Sequence, residues 1–165
     1  MTDRWDDLLQ VLREMLSAYQ AMLTLSQQKH DILIAAKSQE LEAVTKREER
    51  LIVEVGKLED LREKIVGEMM AAYGMKDGEV SLAELKKIAK PEIVAQLETF
   101  GEKFGSIMAA MVPLNQQNTE LIQQALRFVN YNINLLSQTV VGPTYAAKGQ
   151  AKQEVPQRTG FDARV

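Results

Sequence analysis

Cysteine is absent and histidine occurs once, at position 30, in a chain of 165 residues. The first absence excludes disulfides and thiolate metal sites. The second excludes a di-iron carboxylate bundle, which needs two Glu-x-x-His elements, and leaves acid–base catalysis without its commonest group. The nine glycines are scattered, so no phosphate-cradling loop or Walker sequence forms, and no Ser/His/Asp set is present. Aromatic residues make up only 5% of the chain, and strand signals are nearly missing. A formal net charge of -3 gives no basic footprint for phosphate backbones, which argues against nucleic acid as a partner. The start, MTDRWDDLL, lacks the basic-then-apolar order of a secretory signal. The longest uncharged run, Phe128 to Ala147, is interrupted by Asn130, Asn132, Asn134, Ser137 and Gln138, which hydrocarbon would penalise. The expectation is a cytoplasmic, non-enzymatic protein with no cofactor, no metal and no membrane insertion.

What remains is the composition of long helices: 45% hydrophobic and 26% charged residues, dominated by Leu, Ala, Glu, Gln and Lys. Trp5, Leu8, Leu12, Met15, Tyr19 and Met22 recur at spacings of three and four, widened by Leu9, Leu16 and Leu23, which predicts one long amphipathic helix. The stripe turns polar at Ser26, Lys29 and His30, where the histidine reads as a surface or rim residue. A tight reversal is expected near Ala36 to Gln39, with Ser38 capping the next helix. That helix carries Leu41, Val44, Leu51, Val55, Leu58, Ile65 and Met69, with Glu42 and Asp60 placed four residues before Lys46 and Lys64 as favourable pairs. The run Lys46 to Arg50 alternates in sign and reads as a solvated face. After breaks at Gly74 and Gly78, Ser81 and Glu84 form a capping box ahead of a short helix, Leu82 to Ala89. Pro91 suits the first turn of a last helix running to about Val141, loosened at Gly101 and Gly105 and expected to kink or break near Met111 because of Pro113. Beyond Gly142 and Pro143 the periodicity stops, so a flexible tail is expected. The fold class is therefore all-α: an elongated antiparallel helical bundle or coiled coil of three long helices plus a short one. The helical domain spans 1–141 and the disordered C-terminal tail 142–165.

The informative segment is the last helix. Ile122, Leu126, Val129, Ile133, Leu136 and Val140 make one seam, expected to hold the helix against the others. Leu121, Phe128 and Leu135 make a second apolar line on its flank, so the face is wider than one packing partner requires. Between the lines run Asn118, Ala125, Asn132 and Thr139. A buried asparagine there costs free energy unless paired, but it can fix the register of a partner helix. One reading is plain core, covered by the hairpin helices; another is an intermolecular groove. A structural alternative is a homo-oligomeric coiled-coil scaffold or adaptor using the same face, distinguished by stoichiometry in the presence of a partner.

Leu114-Asn115-Gln116-Gln117-Asn118, followed by Leu121-Ile122, a helix of Gln, Asn and aliphatics, then Pro143-Thr144-Tyr145 and Gly149, resembles the carboxy-terminal region of the FlgN flagellar export chaperones. The helix from Lys46 to Arg62, with Leu51, Leu58 and Arg62, is similar to the amino-terminal half of the same family. Where that family commonly has Tyr-Gly in the tail, this chain has Tyr145-Ala146. The resemblance implies a cytoplasmic chaperone of flagellar type III export that binds the C-terminal helices of the hook-filament junction proteins FlgK and FlgL. It would prevent their premature assembly and deliver them to the export gate protein FlhA. Carried onto this sequence, the client-binding set is Asn115, Asn118, Leu121, Ile122, Ala125, Leu126, Phe128, Val129, Asn132, Ile133, Leu135 and Leu136, and the export-gate docking residue is Tyr145. Such an apolar face also implies self-association of the client-free chain.

Overall fold

The computed structural model describes residues 4–75 and 80–140, which form four helices: α1 (Trp5–Ile34), α2 (Ser38–Ala72), α3 (Leu82–Ile88) and α4 (Pro91–Val140). No strand occurs among them. The fold is the all-α arrangement of three long helices and one short one. Tyr145 and the segment 142–165 lie outside the described residues. Contacts divide the chain into a unit ending at Gln124 and a second beginning at Ala125, with the division falling inside α4.

Within the first unit, α1 and α2 run antiparallel. Arg4 near the start of α1 pairs with Glu68 near the end of α2, and Lys29 reaches Glu48 at 2.9 Å. Glu48, from the charged run read as solvated, thus spends its charge on a contact between helices. The i,i+4 pair Glu42 and Lys46 is present at 2.8 Å on the outer face. α4 runs parallel to α1: Phe104 meets Tyr19 edge-on at 5.0 Å, Ile107 and Met111 cluster with Leu23, and Asn118 bonds to His30. The path is therefore up, down and up.

The main core gathers Trp5, Leu8, Leu12 and Met15 of α1 with Leu58, Ile65, Met69 and Met70 of α2, Leu85 of α3 and Leu97 of α4. These are positions that three-and-four periodicity selects. α3 is begun by the capping box read from the sequence, with Ser81 Oγ accepting from the Glu84 backbone and the Glu84 carboxylate accepting from the Ser81 N–H. It lies close on α4 at Gly101, where a Cβ would meet Leu82 Cδ2 at 3.0 Å, so that glycine makes room rather than loosening the helix. Beside the core, burial together with Glu59 raises the Tyr19 phenol, while the hydrogen bonds that Arg62 donates to the Glu59 carboxylate raise the guanidinium.

Two local expectations are corrected. Ser38 is the first residue of α2 rather than its cap; the cap position is Lys37, which makes no side-chain capping bond, and the reversal is accomplished by Ala36 at φ 55. α4 passes through Pro113 as one helix, so of the kink or break expected near Met111 the break does not occur. The ring removes one internal hydrogen bond, but Pro113 is exposed while Met111 is buried and Leu114 packs with it against the Leu23 cluster, so side-chain packing on the opposite side keeps the chain helical.

Candidate functional site

At about 100° per residue, Leu97, Phe100, Phe104, Ile107, Met111, Leu114 and Asn118 share one side of α4. All are buried or half-buried. At the same 100° per residue, Ile122, Ala125, Leu126, Val129, Asn132, Ile133 and Leu136 share one side among themselves, which Leu121, Phe128 and Leu135 extend to roughly half the circumference. The apolar pattern continues, but burial does not. Leu121, Ile122 and Asn132 are half-buried, while Ala125, Leu126, Phe128, Val129, Ile133, Leu135 and Leu136 are exposed, Phe128 at 68%. The seam of Leu126, Val129, Ile133 and Leu136, expected to pack against the other helices, is thus open instead. Periodicity shows that a face is apolar; it cannot show whether this chain has a helix to cover it.

The last buried position described in α4 is a polar one. Asn118, only 2% exposed, donates from Nδ2 to the Ser26 carbonyl at 2.9 Å, and its Oδ1 lies 2.9 Å from His30 Nδ1. With the amide nitrogen committed to Ser26, the oxygen accepts, so His30 carries its proton on Nδ1 in this bond. One turn earlier, Asn115 Oδ1 accepts from Ser26 Oγ at 2.8 Å. Asn118, read from the sequence as client-facing, therefore belongs to the chain's own core, and Asn115 spends its side-chain oxygen on α1. Together they fix the register of α4 on α1, the role buried asparagines play in coiled coils. Ser26 and His30 were not singled out as functional from the sequence. The available signal was that the stripe of α1 turns polar where that of α4 does, and two polar interruptions in facing stripes can satisfy one another.

Asn118→Ala should lower stability by about 1–3 kcal/mol, because it leaves a partly buried imidazole N–H without its acceptor and removes a buried amide from between the helices, while the Ser26 carbonyl keeps only its intrahelical bond. Chemical unfolding followed by circular dichroism measures this. A change below about 0.5 kcal/mol would show that water replaces the amide without loss.

Asn132 is placed differently. It sits within the open face, half-buried, and its amide has no hydrogen-bond partner among the described residues. One concave feature of the first unit is a groove of about 320 Å³ between α1 and α4, lined by Leu9, Leu12, Leu16 and Phe100 together with Arg13 and Lys103. Thr99 also lines it, with its hydroxyl donating to the Ala95 carbonyl of its own helix at 3.0 Å. Among the described residues no three His, Cys, Asp or Glu side chains are grouped to hold a metal ion, and no helix is long and apolar enough to cross a membrane.

The family model described as FlgN protein matches residues 1–153. The chain is also similar to the uncharacterized protein YvyG of Bacillus subtilis (strain 168), at 25% identity over 129 residues, covering 78% of each chain. No solved structure matches it.

Proposed function

The chain belongs to the FlgN family of flagellar export chaperones, and from that premise we propose that the open face of α4 binds the C-terminal amphipathic helices of FlgK and FlgL in the cytoplasm before export. The observation that carries this reading is the exposure of Leu126, Phe128, Val129 and Ile133 together on one apolar face of a helix. A client helix laid on this face would bury its own apolar positions at i, i+3, i+4 and i+7 and so be kept from premature assembly. Leu121, Ile122, Ala125, Asn132, Leu135 and Leu136 complete the contact. The same exposure supports self-association of the client-free chain, with client and second copy competing for one surface. Mixing chaperone with the FlgK C-terminal segment and measuring mass by light scattering tests this. A one-to-one complex is expected; a homo-oligomer that persists with client in excess would favour a scaffold.

Delivery requires a second contact, with FlhA, which we assign to Tyr145 in the tail. A docking anchor acts only in the final complex, so Tyr145→Ala should leave client affinity and stability unchanged. It should weaken binding of the chaperone–client complex to the soluble domain of FlhA by about 2 kcal/mol or more. Paired titrations of wild type and variant decide it: loss of client binding would place the ring in the client contact, and unchanged FlhA binding would remove its role.

A further inference from the structure

Between Leu121 and Gln138 the chain carries a single charged residue, Arg127. At about 100° per residue, Arg127 points opposite to the centre of the apolar half. The borders of that half hold Gln123, Asn130 and Ser137 on one side and Gln124 and Tyr131 on the other. Helix pairs ordinarily choose partner and orientation by ionised residues in these flanking positions. Here those positions offer amides and hydroxyls, although the chain uses ion pairs between helices elsewhere, as at Lys29 and Glu48.

Resting on the client-binding reading above, we infer that this face selects a partner helix with uncharged flanks, whose apolar stripe carries one amide or hydroxyl residue opposite Asn132. An ionised residue on the partner's flank would lose water at the border of the contact and find no opposite charge there, so helices with Glu or Lys in those positions are rejected by an unpaired charge rather than by shape. Asn132 adds register. Covered by an all-apolar stripe, its amide would be left without a partner; met by Asn, Gln, Ser or Thr, it is satisfied at one alignment only. Association on such a face has no electrostatic steering and depends little on salt.

Three synthetic amphipathic peptides with the same apolar heptad positions test this against the full-length chain by calorimetry. One has Gln and Ser flanks with a single Asn in the stripe, the second replaces the flanks by Glu and Lys, and the third replaces the Asn by Leu. The first should bind with affinity changing by less than about twofold between low and high salt. The second should bind at least about tenfold more weakly, and the third about tenfold more weakly. In Asn132→Leu, which circular dichroism should show folded, the difference between the first and third should vanish. Equal binding of the charged-flank peptide, or a tenfold fall in affinity with salt, would overturn the selection while leaving the face a client site. Failure of all three peptides, with FlgK still bound, would overturn the selection alone; failure of FlgK as well would remove the client-binding reading beneath it.

Discussion

Leu97→Ala is expected to destabilise the chain by about 2–5 kcal/mol, the range for truncating a fully enclosed leucine. Leu97 has 0% exposure and joins α4 to a core that contains Leu8, Leu12, Val66 and Leu85. Truncation removes its transfer free energy and leaves a void that residues from four helices can fill only in part. For a domain with a total stability of about 5–15 kcal/mol, this is a large fraction, and urea unfolding should show the midpoint fall with little change in slope. A loss below about 1 kcal/mol would mean that α4 is not anchored there. The variant that still folds should bind client normally, because Leu97 lies far along α4 from the open face.

Phe128→Glu should do the reverse. The ring is 68% exposed, so the free chain loses no enclosed packing and its stability should change by no more than about 0.5 kcal/mol. In the client complex, the carboxylate would be covered by an apolar helix without a counter-charge, costing several kcal/mol, equivalent to about a hundredfold or more in affinity. Calorimetry with FlgK measures the second effect and thermal unfolding the first. A variant that unfolds would show Phe128 to be core; unchanged affinity would show that the client sits elsewhere.

The opposite outcomes expected at Leu97 and Phe128 mark what was readable in the sequence. Both are apolar residues of one helix. The stripe of Trp5, Leu8, Leu12 and Met15, the second stripe ending at Ile65 and Met69, and the box of Ser81 and Glu84 were legible because each depends on neighbours within a turn or two. Asn118 was legible as a polar residue in an apolar face, but its partners lie 88 and 92 residues away, and spacing along one helix cannot name them. The passage of α4 through Pro113 was hidden for a related reason: the local cost of the ring is offset by Met111 and Leu114 packing on α1. The exposure of Leu126, Val129 and Ile133 was the least legible feature, since an apolar seam reads the same whether it is covered by its own chain or awaits another.

Amide hydrogen exchange along α4, with and without the FlgK C-terminal segment, tests that last point most directly. Client should slow exchange mainly from Leu121 to Gln138, while residues from Leu97 to Asn118, whose apolar side is already packed within the first unit, should change little. Protection concentrated on α1 or α2, or on α4 before Asn118 with none beyond it, would contradict the assignment of the open face as the client site.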